Sequence, residues 1–335
     1  MKIAFFEIKL GEKDCIEKNK LMVKHELFFY DHILSKNNIP DETAFDIVSV
    51  FVNSEVDSEV LNKLPNLKMI ATRSTGFDHV DLSVAKKRDI LVANVPTYGE
   101  NTVAEFTFAL LLSLSRKILE SRDRVKEEGS FSPDGLTGFD LNGKTLGVIG
   151  TGKIGAHVIK IANGFGMKVV ASDPFPNQGL VKDLGFEYMP LLEVLKMSDI
   201  ITLHVPYMKE THHLINKKNI GLIKKGAYLI NTARGGIVET ESLVEALKRG
   251  DLAGAGLDVL EEENAIKNEP NLAQKRSKEH VSQTLLADHV LIDMPNVIVT
   301  PHNAFNTTDA LGRILDTTIE NINLFIKGKP MNTVK

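Results

Sequence analysis

The stretch Thr145-Leu146-Gly147-Val148-Ile149-Gly150-Thr151-Gly152-Lys153-Ile154-Gly155 decides the fold. Its first five residues form a short run with the character of a buried strand. Three glycines follow in the pattern G-x-G-x-x-G, and a helical pattern then runs toward Phe165. Strand, glycine turn and helix together make the opening βα unit of a doubly wound sheet. The first glycine permits the tight turn, the second lets a pyrophosphate reach the backbone, and the third lets helix and strand pack closely. The helix N-terminus adds free N–H groups and partial positive charge. No Gly-Lys-Ser/Thr closes the loop, so it is not a Walker phosphate loop.

Working downstream, Asp173 ends the next strand, Lys168–Ser172, and lies 23 residues after Gly150. A carboxylate there accepts hydrogen bonds from a ribose diol and repels a 2′-phosphate. Pro174 and Phe175 follow it, with no arginine to receive such a phosphate. The reading is a site for NAD, not NADP, built on Gly150, Gly152, Lys153, Ile154, Gly155 and Asp173. Further strands are expected at Ile200–Leu203, Ala227–Ile230, Gly254–Val259 and Val297–Val299, with helices between most of them. Residues 261–295 are charged and aperiodic, a length more typical of a functional excursion than of filler.

Upstream, strands are expected at Ile3–Phe6, Ile47–Val52, Leu67–Ala71 and Ile90–Val95, with helices at Ser54–Leu64 and Leu82–Arg88. Alternating strands and helices mean a parallel sheet, because parallel strands need a crossover. Pro96-Thr97-Tyr98-Gly99 breaks the pattern, and Thr102–Lys117 then reads as one helix that is apolar on most faces. Such a helix is buried or packs against another subunit. Residues 116–143 are charged and rich in Gly, Ser, Pro and Asp, and read as a boundary. The last helix, Asp309–Lys327, could pack beside Thr102–Lys117 and return the chain to the first domain. The expected fold class is α/β with two doubly wound parallel-sheet domains. A Rossmann NAD-binding domain, 100–299, is inserted in a discontinuous flavodoxin-like substrate domain, 1–99 and 300–335.

Composition narrows the function. The 335 residues carry 40 Lys and Arg against 44 Asp and Glu, a net charge of −4, with no basic footprint for nucleic acid. The single cysteine, Cys15, forms no internal disulfide and rules out a Cys-based zinc site, so no metal is expected. It fits a reducing cytoplasm. The N-terminus meets Glu7 before any signal-type apolar core, and the most apolar run, Phe106–Leu114, is far shorter than the ~20 residues a bilayer needs.

Three stretches fall at ends of expected strands, where open α/β sheets hold their ligands. They are Asn231-Thr232-Ala233-Arg234-Gly235-Gly236, Gly256-Leu257-Asp258-Val259-Leu260-Glu261-Glu262-Glu263 and Thr300-Pro301-His302-Asn303-Ala304-Phe305. Hydride transfer to a 2-oxo acid needs a cation for the carboxylate, a proton source for the new alkoxide, and a group that tunes that source. Arg, His and Glu meet those needs.

With these motifs the chain resembles the D-isomer-specific 2-hydroxyacid dehydrogenases, nearly end to end, from Ser74-Thr75-Gly76-Phe77-Asp78-His79-Val80-Asp81 to Ala304. Pro96-Thr97-Tyr98 and Ala304-Phe305 place it nearest the D-lactate and D-hydroxyisocaproate branch. The resemblance implies reversible hydride transfer between NADH and a small 2-oxo acid, pyruvate being the first expectation, in a cleft between two domains. It makes Arg234 the carboxylate-binding cation and His302 the general acid/base. It puts the paired carboxylate at Glu263, five residues after Asp258, with Glu261 as the fallback. Asp258 is expected near the nicotinamide, and Val205, Pro206, Thr211, Thr232 and Ala233 match the remaining cofactor contacts.

Backbone N–H groups of Ser74, Thr75 and Gly76 are expected to hold the substrate carboxylate, with Tyr98 and Phe305 lining the pocket. Phe305 reads equally well as core packing. A homodimer is expected, as in the family. Asn53 and Asn306 depart from the aromatic residues of the lactate-type enzymes, which leaves hydroxypyruvate, glyoxylate and phosphoglycerate as alternative substrates. Oxidation of formate or phosphite, and a non-enzymatic NADH-sensing role, remain the wider alternatives.

Overall fold

In the computed structural model, which describes residues 1–267 and 282–334, the chain divides into two compact units. One comprises Met1–Tyr98 and the segment from Thr307 on; the other is Gly99–Asn306.

The first unit holds β1 (Lys2–Phe5), β2 (Glu26–Phe29), β3 (Ile47–Val50), β4 (Met69–Thr72) and β5 (Leu91–Ala93). These run parallel in the order β2-β1-β3-β4-β5, the flavodoxin-like arrangement. Alternate residues serve opposite faces: Ile3 and Phe5 join one buried cluster, Ala4 and Phe6 the other. That is why these strands read as continuous apolar runs. Helix Thr308–Ile326 covers one face through Leu315, Ile319 and Ile322. Beyond it the chain adds a last strand, Thr333–Val334, antiparallel to β5 at the sheet edge.

The second unit holds β6 (Thr145–Ile149), β7 (Lys168–Ser172), β8 (Glu187–Tyr188), β9 (Ile200–Leu203), β10 (Ala227–Asn231), β11 (Leu252–Leu257) and β12 (Val297–Val299). The order β12-β11-β10-β9-β6-β7-β8 is the Rossmann order with one strand added. All seven are parallel. The helix expected at Thr102–Lys117 runs Glu100–Ser115 and buries Ala104, Phe108, Leu110 and Leu111 in its own unit. Its apolarity is thus accounted for within the chain, and the expected homodimer rests on the resemblance alone.

Three expectations need correction. Residues 300–306 belong with the second unit, because the buried Asp258 side chain binds Thr300, Asn303 and Ala304. Residues 116–143 are not a boundary: they lie inside the second unit and contain a helix, Ile118–Lys126, none of whose residues is buried. The 261–295 excursion starts and ends helical, at Glu263–Lys267 and Gln283–Asp293; its middle, 268–281, lies outside the described residues.

Candidate functional site

Parallel strands put all their C-terminal ends on one edge. In the second unit that edge carries Gly150 after β6, Asp173 after β7, Val205 after β9, Arg234 after β10, Asp258 after β11 and His302 after β12. The glycine loop, Asp173 and the three stretches at expected strand ends therefore meet the ligand-binding edge of one sheet.

The three loop glycines have separate reasons. Gly150 has φ +93, and a Cβ there would meet the His204 backbone at 2.7 Å. A Cβ on Gly155 would sit 2.1 Å from the Gly150 carbonyl oxygen, so helix Lys153–Gly164 can pack this closely only without one. A Cβ on Gly152 would meet nothing within 4 Å among the described residues, which leaves space for a ligand over the helix N-terminus. Asp173 reaches back to the loop: its Oδ2 accepts from the Thr151 N–H at 2.8 Å and hydroxyl at 3.0 Å. Its Oδ1 accepts from the Phe175 N–H at 2.8 Å. Thr151 also bonds the Tyr188 hydroxyl at 2.7 Å. Lys153 extends outward and lies 3.7 Å from Glu100. The open helix N-terminus and the carboxylate beside it fit a dinucleotide.

His204 lies beneath this loop, its Nε2 2.8 Å from the Thr202 hydroxyl. Burial pushes its pKa down to about 3, so the imidazole is neutral at physiological pH. The next turn is closed by Thr211, whose hydroxyl donates to the Pro206 carbonyl at 2.6 Å. Thr232 is buried and bonds the Thr107 hydroxyl at 3.0 Å. The buried Asn231 amide sets the Arg234 turn, accepting from the Ala233 N–H at 3.0 Å and donating to the Arg234 carbonyl at 2.9 Å. Arg234 Nη1 donates to the Ala233 carbonyl at 2.9 Å.

His302 and Glu263 meet. His302 Nδ1 is 3.0 Å from Glu263 Oε1, and the two side chains are 16% and 27% exposed. Glu261, the fallback, is engaged elsewhere, 2.6 Å from His213 Nε2. The Phe305 ring stands edge-on to the His302 ring, with centroids 6.4 Å apart.

Asp258 is completely buried, and its carboxylate accepts from the Thr300 hydroxyl at 2.5 Å and from the Asn303 and Ala304 N–H groups at 2.8 Å each. Burial pushes its pKa up, while those three donors hold it down. The side chain ties the end of β11 to the loop that carries His302.

Sequence reasoning missed a second buried acid. Asp288, on helix Gln283–Asp293, accepts from the Glu262 N–H at 3.0 Å through Oδ2. Its Oδ1 has no partner among the described residues, and the side chain lines a small cavity with Asn231, Gly235 and Glu261. Burial, with Glu261 and Glu262 nearby, pushes its pKa up to about 6. Nothing marks it in the sequence beyond an acid in an apolar helical stretch.

In the first unit, the Ser74–Gly76 loop follows β4. The Ser74 hydroxyl donates to the Gly76 carbonyl at 2.6 Å, and the Thr75 hydroxyl to the Val95 carbonyl at 2.9 Å. The side chains thus shape the loop, and among the described residues the Thr75 and Gly76 N–H groups find no acceptor. The Tyr98 carbonyl accepts from Arg313 at 2.7 Å. Asn53 is tied down: its amide donates to Glu7 Oε1 at 2.9 Å. Asn306 is exposed and donates to Asn303 at 2.9 Å.

A Rossmann unit with an open glycine loop and an acid at the second strand defines an NAD-binding protein. Comparison with known proteins narrows the class. The family model of the D-isomer specific 2-hydroxyacid dehydrogenase NAD binding domain matches residues 108–304. A 2-hydroxyacid dehydrogenase homolog of Schizosaccharomyces pombe is 40% identical over 97% of this chain and 96% of its own. The D-lactate dehydrogenase of Escherichia coli is 35% identical over 98% of both chains. The solved D-lactate dehydrogenase of Aquifex aeolicus, complexed with NAD and lactic acid, has TM-score 0.88 and 39% identity, over 98% of this chain and 96% of that one. The chain belongs to the D-isomer specific 2-hydroxyacid dehydrogenases.

Proposed function

We propose that the chain interconverts a small 2-oxo acid and its D-2-hydroxy acid, with pyruvate and D-lactate as the first pair to test. The observation that carries this reading is the 3.0 Å pairing of His302 with Glu263 at the end of β12. A carboxylate on Nδ1 fixes the ring, which leaves Nε2 to exchange a proton with the substrate oxygen. His302 donates that proton during reduction and removes it during oxidation. The Arg234 guanidinium, on a turn set by Asn231, holds the planar carboxylate and carbonyl in a two-pronged grip that Lys does not reproduce. The backbone N–H groups of Thr75 and Gly76, which find no acceptor among the described residues, supply further anion contacts. NAD, when bound, supplies or accepts the hydride.

The test is loss of NADH absorbance against pyruvate, 2-oxobutyrate, 2-oxoisocaproate, phenylpyruvate, hydroxypyruvate and glyoxylate, with NADPH in parallel. NADH-dependent turnover on pyruvate or its nearest homologues is expected. His302→Ala should lower turnover about 10²–10⁴-fold while NADH still binds. Wild-type turnover in that variant would remove His302 from the mechanism.

A further inference from the structure

The turn between β9 and the Arg234 loop carries two consecutive histidines that the reaction does not use. We propose that His212, His213 and Glu261 form a binding site for one divalent transition-metal ion of the zinc class. One ligand atom from each of the three lies within 4.8 Å of the others. His213 Nε2 already sits 2.6 Å from Glu261 Oε1.

Successive side chains of an extended segment point to opposite sides. Here they do not. His213 has left-handed backbone, φ +49, and its N–H donates to the Gly236 carbonyl at 2.9 Å. The two imidazoles stack with centroids 3.8 Å apart and an interplanar angle of 25°. Such backbone is costly for a residue with a side chain, and it brings together two groups that would otherwise diverge.

The outer contacts suit an ion. Tyr207 OH lies 3.1 Å from His212 Nδ1, which leaves Nε2 as the ligand atom. The Thr240 hydroxyl donates to Glu261 Oε2 at 2.8 Å, so the ligand oxygen is Oε1, and an ion would replace its hydrogen bond to His213 Nε2. Outer hydrogen bonds of this kind orient metal ligands. Two imidazoles and one carboxylate suit zinc, cobalt or nickel better than magnesium or calcium, which prefer all-oxygen shells. His212 is exposed, so a fourth position is open to water. Nothing local in the sequence pairs these residues, because Glu261 is 48 residues from His213.

The test is titration calorimetry of the untagged, metal-stripped chain with zinc chloride, and separately with magnesium chloride. One zinc ion per chain is expected, with no saturable magnesium binding. His212→Ala, at an exposed position, should weaken zinc at least about tenfold, and Tyr207→Phe about 10–100-fold, the usual worth of an outer-shell contact. Cobalt should give the visible bands of a tetrahedral site in wild type and lose them in His212→Ala. Unchanged circular dichroism checks that the variants fold. Absence of saturable zinc uptake by wild type, equal affinity in His212→Ala, or equal binding of magnesium overturns the proposal.

Discussion

His302 sits in left-handed backbone, φ +52, a conformation that disfavours any residue with a side chain. Its N–H donates to the Asp258 carbonyl at 2.8 Å and to the Thr300 carbonyl at 2.9 Å. The Asp258 carboxylate then fixes the three residues Thr300, Asn303 and Ala304 around it. Asp258→Ala would leave two N–H groups and a hydroxyl unpaired in the protein, at roughly 1–3 kcal/mol each before relaxation. Urea denaturation without any cofactor should therefore show a large loss of stability. A variant as stable as wild type, but weaker for NADH, would assign Asp258 to the cofactor and not to the loop. At this scale the motifs told a great deal. Arg234 and His302 stand in short patterns whose chemistry is local, and Glu263 follows from its spacing to Asp258. The clamp was hidden because Asp258 bonds residues 42 to 46 positions away. The engagement of Glu261 with His213 was hidden for the same reason.

Among elements, the β6–helix unit separates binding from stability. Gly152→Ala should leave stability unchanged, because its φ of −62 suits any residue and its Cβ finds open space. NADH affinity should fall tenfold or more, about 1.4 kcal/mol. Gly155→Ala should do the reverse first, costing roughly 1–3 kcal/mol of folding through overpacking against the Gly150 carbonyl. Thermal melts and NADH fluorescence titration measure both; equal stability losses in the two variants would refute the assignment. Helix Gln283–Asp293 carries a pH-dependent strain. The Asp288 carboxyl titrates at about 6 when folded against 3.8 when exposed. The folded chain therefore holds the extra proton between those values, and stability from this group falls as pH rises through that window. Asp288→Asn abolishes the titration. Its stability relative to wild type should rise by about 3 kcal/mol from pH ~4 to pH ~7. A pH-independent difference would show that the carboxyl is not shifted. Element boundaries were clearest in short apolar runs. Thr145–Ile149, Lys168–Ser172 and Ile200–Leu203 were legible to the residue because they are central strands of largely buried apolar residues, and the edge strand Val297–Val299 because it is wholly apolar. Edge strand β2 was not, since Glu26–Phe29 is only half buried and lacks that signature.

For the molecule as a whole, the two units have separate cores, and the phosphate loop belongs wholly to Gly99–Asn306. A ligand stabilises the part it binds. Hydrogen exchange with and without NADH should therefore slow most in β6, helix Lys153–Gly164 and the end of β7. Greatest slowing in β1–β5 would put the cofactor elsewhere. The two-unit plan itself was legible from the single glycine motif set between two strand–helix alternations. The exact junction at Asn306 was not, because it depends on the Asp258 clamp.

The interrupted first unit also bears on how the protein is made. Its covering helix Thr308–Ile326 and closing strand Thr333–Val334 emerge from the ribosome only after all of Gly99–Asn306. At translation rates of about 5–20 residues per second, the earlier strands wait roughly 10 to 40 seconds with one sheet face only partly covered and the β5 edge open. The inserted unit can mature first, and the nascent N-terminal sheet is the part that most needs a chaperone during synthesis.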